Sequence, residues 1–111
     1  MVYGSMTIRY KNAKTDLTTT DATAVLTPAN ATTAIIKSIL VSEDSGNADT
    51  ITLTITAGSD VFSLFKVKAV SANGTVELLS APLVLAESEI LKATAATANR
   101  LHIVVSYMEI S

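Results

Sequence analysis

From Thr50 to Ala57 the chain alternates without a break, with Ile51, Leu53, Ile55 and Ala57 on one side and Thr50, Thr52, Thr54 and Thr56 on the other. A repeat of two is that of a strand with one face on a core, and helical spacing cannot produce it. The preceding stretch, Thr33 to Glu43, is apolar on both sides. Ile36 and Leu40 share one face, and Ile35, Ile39 and Val41 share the other. Such a strand expects cover on both faces. The polar loop Ser42 to Asp49 joins the two as an expected hairpin.

The pattern continues past Gly58 to Asp60, which reads as a three-residue hairpin turn. In the next strand, Val61 to Ala69, Val61, Phe65 and Val67 fall on one face and Phe62, Leu64, Lys66 and Lys68 on the other. Phe65 is expected in the core, and Phe62 under a loop or at a subunit contact. After the Ser71 to Gly74 turn come a short strand at Val76 to Leu79 and another at Leu83 and Leu85. Pro82 restricts the latter to an edge or a strand start. Ile90 to Thr97 alternates with small residues, and its alanines leave a helix as the alternative. In the last strand, Leu101 to Ile110, Leu101, Ile103, Val105 and Tyr107 oppose His102, Val104, Ser106, Met108 and Ile110.

About eight short strands separated by turns predict an all-β antiparallel sandwich. Its core is expected from Ile36, Leu40, Leu53, Ile55, Phe65, Leu83, Leu85, Ile90, Ile103 and Val105. Residues 1–32, rich in Thr, Ala and Asp, read as an extended N-terminal arm with weak strands near Ile8 and Tyr10 and near Ala24 to Leu26. Thr27 to Asn30 is a turn, in which Asn30 tolerates left-handed geometry. The sandwich domain is placed at residues 33–111.

Composition supports strands: 16 Thr, 10 Val and 9 Ile among 111 residues are branched at Cβ, and such side chains suit a pleated surface. With 5% aromatics and 16% charged residues, the core must be mainly aliphatic. A net charge of −2, with scattered Lys and Arg, argues against nucleic acid as a partner. No apolar run approaches a membrane span, so no membrane partner is expected. No signal peptide is read, and MVYGS is open to two readings, a native start or a leader added before Met6.

The chemistry-bearing residues are few. There is no Cys, and His102 is the single His, expected at a surface or subunit contact. Neither a zinc site nor a nucleophile with its base can be assembled from this set. Glu77, Glu87, Glu89 and Glu109 read as solubilising charges, and Lys66 and Lys68 as a solvated face. Glu43, Asp44, Asn47 and Asp49 lie close in sequence, but their spacing departs from the twelve-residue calcium loop, so an exposed turn is expected. No cofactor, metal or enzymatic activity is expected. The excess apolar residues Ile35, Ile39, Val41, Phe62, Val104, Met108 and Ile110 are the candidate subunit interface.

The stretches TPANATTAIIKSILVSEDSGNADTITLTI and ELLSAPLVLAESEILKATAATANRLHIVVSYMEIS resemble a family of small structural proteins of tailed-bacteriophage virions. The likeness runs through Thr27 to Val41, Val84 to Ala95 and Val105 to Ile110. The chain departs at Glu87 to Glu89, where similar proteins often carry a Gly-Asp turn. The resemblance implies a jelly-roll-like sandwich that decorates or cements a capsid, made in the host cytoplasm and carried in the virion. It implies homo-oligomers, a trimer first, and coat-protein partners. Alternatives are a virion-displayed module for a glycan or host surface, and a neck or tail subunit.

Overall fold

A computed structural model describes residues 6–111, and residues 1–5, read as either a native start or a leader, lie outside the described residues. The described chain forms nine strands and no helix: β1 (Ile8–Leu17), β2 (Thr23–Leu26), β3 (Thr33–Glu43), β4 (Asp49–Ala57), β5 (Asp60–Val70), β6 (Thr75–Glu77), β7 (Leu83–Leu85), β8 (Glu89–Ala95) and β9 (Leu101–Ile110). One sheet runs β1-β9-β3-β6, with β7 also on β3, and the second runs β2-β8-β4-β5. All pairings are antiparallel.

The order follows one rule. Strands pair from the two ends of the chain inward: β1 with β9, β2 with β8, β3 with β7 and β6, and β4 with β5. The chain is therefore one long hairpin, rolled until β9 also meets β3 and β8 also meets β4. Its tip is the two-residue loop Gly58 and Ser59 between the paired Ala57 and Asp60, shorter than the expected three residues. Gly58 sits at φ +62°, which the first central position of a type II′ turn requires. This is the jelly-roll sandwich. Counted as one interrupted strand along β3, β6 and β7 bring the number to the expected eight.

The topology changes two expectations. The Ser42 to Asp49 loop is not a hairpin turn, because β3 and β4 lie in different sheets and the loop carries the chain between them. Residues 8–26, read as an arm, contain their two strands, but both are built into the sandwich. β1 pairs with β9 along its whole length, and Leu17, Val25 and Leu26 are buried in the core.

A single extra residue sets the core. Along β3 the partners on β9 run from Thr33↔Ile110 to Ile36↔Tyr107 and resume at Ser38↔Ser106, so Lys37 has no partner of its own. Because successive side chains point to opposite faces, this bulge inverts the alternation beyond it. Ala34 and Ile36 face inward before the bulge, and Ile39, Val41 and Glu43 face inward after it; all five are buried. Strict alternation predicts the reverse for the second half. Ile39 and Val41, expected at a subunit interface, are fully buried core residues, and Leu40, expected in the core, is 40% exposed on the outer face.

The second sheet repeats the lesson at β5. Its partners on β4 shift twice, between Ile51 and Leu53 and again between Leu53 and Thr54. Phe65 therefore lies opposite Leu53 and Phe62 opposite Ile55, and opposed residues share a face. The two phenylalanines point the same way, contrary to simple alternation. Phe65 packs against the core. In β8 the buried side chains are Leu91, Ala93 and Ala95, while Ile90, expected in the core, lies opposite Thr56 on the other face. Two alanines on the buried side had hidden the phase. Leu53, Ile55, Ile36, Leu85, Ile103 and Val105 are in the core as expected, with Leu83 packed against it.

Deleting Lys37 should unfold the protein. It would turn Ile39 and Val41 outward, a loss of about 4 kcal/mol for two buried aliphatic side chains, most of the stability of a domain near the low end of the usual range of about 5 to 15 kcal/mol. Lys37→Ala, at the exposed bulge position, should change stability by about 0.5 kcal/mol or less. Denaturant titrations followed by circular dichroism check both.

Candidate functional site

The outer face of the first sheet brings together most of the expected interface residues. Tyr10 lies opposite Met108, Met108 opposite Ile35, and Ile35 opposite Val84. Four neighbouring strands thus set four apolar side chains in one row, about 14 Å across at the usual strand spacing. Ile8 and Ile110 extend it toward one end of the sheet. A second row, four residues along β1 and β9, pairs Lys14, Val104, Leu40 and Glu77, and between the rows runs the polar line of Asn12, Ser106 and Ser38. Tyr10 is 82% exposed and Val84 57%. Ile35, Val104, Met108 and Ile110 are half-buried there.

Of the seven expected interface residues, these four share the face, Ile39 and Val41 are in the core, and Phe62 lies apart. Phe62 belongs to β5, at the edge of the second sheet, and is 56% exposed. It follows Ile55 on the inner side by register, but the facing sheet leaves it uncovered. Tyr10, Ile8, Val84 and Leu40 were not anticipated on the outer face. Tyr10 and Ile8 alternate visibly in the sequence, and only the assignment to an arm separated them from Met108 and Ile110. Val84 is the outward member of Leu83, Val84 and Leu85.

At the far end of the same face His102 stands between two carboxylates, with Nε2 3.2 Å from Asp16 and Nδ1 3.6 Å from Asp44. The two acids meet opposite nitrogens of the ring, so they cannot converge with it on one cation. Ser42 and Asp16 are its register neighbours. The arrangement ties β1 and the β3–β4 loop to β9.

The acidic loop has a different use from ion binding. Glu43 is buried at the inner end of β3, and its carboxylate accepts hydrogen bonds from the Ser45 hydroxyl and from the N–H groups of Ser45 (2.7 Å), Gly46 (3.0 Å), Asn47 (3.0 Å) and Asn73 (3.1 Å). Burial raises its pKa, but the hydrogen bonds, from Ser45 first and then from Asn73 and Asn47, outweigh it and hold the group at about 2 instead of 4.5. N–H donors already surround both oxygens. Asp49, at the start of β4, accepts from the N–H of Thr97 at 3.1 Å and so joins this loop to the end of β8.

Glu77 plays the matching part beside the bulge. β6 ends at Glu77 and β7 begins at Leu83, leaving the middle of β3 without a strand partner on that side. The Glu77 carboxylate fills the gap: it accepts from the Ser38 hydroxyl, from Ile39 N–H at 2.7 Å and from Leu79 N–H at 3.2 Å, while Leu78 N–H reaches the Ile39 carbonyl at 2.9 Å. Burial pushes its pKa up, and these bonds, Ser38 first, bring it below the ordinary value. Glu87 and Glu89 likewise accept from the backbone, from Ala31 and Ala86, and Glu109 pairs with Lys11 at 3.3 Å. Ala31, not Asn30, carries the left-handed conformation in its turn, at φ +59°.

Beyond this face, an open groove of about 740 Å³ lies between the free edges of the two sheets, lined by Asp49, Lys68, Val70, Ser71, Thr75 and Val76 among others. No protein-family model matches the chain, and no curated protein sequence or solved structure does so either.

The depressed carboxyl of Glu43 makes stability depend on acid. Its contribution is complete above pH 4.5 and is lost as the pH falls toward about 2. Denaturation midpoints measured across that window should fall in the wild type, and Glu43→Gln should start lower and fall less steeply.

Proposed function

We propose that this chain is a non-enzymatic structural subunit of a tailed-phage virion, a capsid decoration or cement protein. In this reading the outer face of its first sheet is covered by a neighbouring subunit of the particle. The observation that carries it is the row Tyr10, Met108, Ile35 and Val84, apolar on four adjacent strands and turned away from the core. Contiguous apolar surface of this kind marks interaction sites more often than chance exposure does. A sheet whose two central strands, β9 and β3, are bonded on both sides presents it with little loss of backbone entropy on docking.

Two further points favour a building unit. The carboxylates of buried Glu43 and of exposed Glu77 are engaged by backbone N–H groups, which serves shape rather than chemistry on a substrate. The jelly-roll sandwich is used in viral capsid domains, although a fold shared by many functions is support by analogy only. The partners in this reading are coat protein and copies of the chain itself.

Val84→Lys combined with Met108→Lys tests it. Both side chains lie on the outer face, so the variant should fold with a melting curve near that of the wild type. Co-sedimentation with capsids of the phage that encodes the chain should weaken at least tenfold. Wild-type binding by the variant, or absence of binding by the wild type, would overturn the reading.

A further inference from the structure

The four free edges of the two sheets are not alike. On the second sheet, β5 is broken by two register shifts and by Val67 at φ +54°, and β2 is four residues long with a shift of its own. On the first sheet, one edge consists of β6 and β7, three residues each, with Glu77 filling the space between. These are the devices by which sheets keep their edges from pairing. The opposite edge is neither short nor bulged, and its only such device is charge, from Arg9, Lys11, Lys14 and Asp16. β1 is ten residues long and keeps one register with β9 from Ile8↔Ile110 to Leu17↔Leu101.

The backbone phase of β1 is known from its start. Thr7 and Ser111 exchange both hydrogen bonds, at 2.9 and 3.0 Å. In an antiparallel ladder such pairs alternate with pairs that exchange none. The odd-numbered residues of β1 therefore bond to β9, and Ile8, Tyr10, Asn12, Lys14 and Asp16 direct N–H and C=O away from the sheet. Among the described residues, nothing bonds to these groups.

We propose that β1 pairs antiparallel with β1 of a second copy, about a two-fold axis at Asn12, joining two first sheets into one. A two-fold normal to the sheet keeps each residue on its own face, so even residues must meet even residues. With the axis at Asn12, Ile8 meets Asp16, Tyr10 meets Lys14 and Asn12 meets itself. All five outward-directed residues of each copy then bond. Arg9 meets Thr15 and Lys11 meets Ala13, so no cation faces a cation. An axis at Lys11 or Lys14 would set two lysines face to face, an axis at Tyr10 halves the overlap, and one at Ala13 leaves Ile8 unpaired. The contact does not depend on what covers the apolar face.

The chain has no cysteine, which makes the test clean. Paired residues that exchange hydrogen bonds stand about 5.5 Å apart at Cα, within disulfide range. Asn12→Cys should give an interchain disulfide on mild oxidation, whereas Ile8→Cys should stay a thiol. Asn12→Pro removes an N–H that β9 does not use, so the fold should persist while dimerisation, read by analytical ultracentrifugation, weakens at least tenfold. A wild type that stays monomeric at millimolar concentration would overturn the proposal. So would a dimer that Asn12→Pro leaves intact, or one in which Ile8→Cys links as readily as Asn12→Cys.

Discussion

The constraint on which this structure depends is the parity of β3. A pleated strand sends alternate side chains to opposite faces, and β3 is the middle strand of the first sheet, with β9 on one side and β6 and β7 on the other. Lys37 breaks that parity once. The result is a strand that delivers Ala34, Ile36, Ile39 and Val41 to a single core although no uninterrupted strand could do so. On the other side of β3 the outer strand is interrupted between β6 and β7, and there Glu77 takes the N–H of Ile39 while Leu78 donates to its carbonyl. The interruption between β6 and β7 thus faces the bulged stretch of β3, and the Glu77 carboxylate spans it.

Around that centre the chain is rolled from a single hairpin, and only the Gly58 and Ser59 turn closes a local pair within one sheet. The connection from β3 to β4 must cross between sheets. Glu43 makes this crossing definite, gathering N–H groups from its own loop and from Asn73 in the neighbouring one. A buried carboxylate so surrounded is worth retaining where a turn must be held against the sandwich edge, since leaving those donors unpaired would cost more than burying the acid.

Much of the fold was legible in the amino-acid sequence. The clean alternation of β4 and β9, the turn residues and the excess of β-branched side chains identify strands and a sandwich. What stayed hidden has a common cause. Bulges at Lys37 and in β5 shift the phase by one residue without a mark in hydropathy, which misplaced Ile39, Val41, Leu40 and Phe62. In β8, Ala93 and Ala95 are too small to signal the buried side. Long-range pairing is also silent in sequence: nothing local in Ile8 to Leu17 says that it lies beside β9. Of the outer face, Val104, Met108 and Ile110 were legible because β9 has no bulge relative to β1, and Ile35 because it precedes the bulge in β3. Tyr10 and Val84 complete the row only once the topology is known.

The most direct test of this account is the facing of β3 in solution. Single cysteines placed at positions 35, 36, 38, 39, 40 and 41 of the cysteine-free chain can be labelled with a thiol reagent under native conditions. Fast labelling is expected at 35, 38 and 40 and protection at 36, 39 and 41, with the break in alternation at Lys37. Strict alternation through the strand, with 35, 39 and 41 labelled together and 36, 38 and 40 protected, would contradict it.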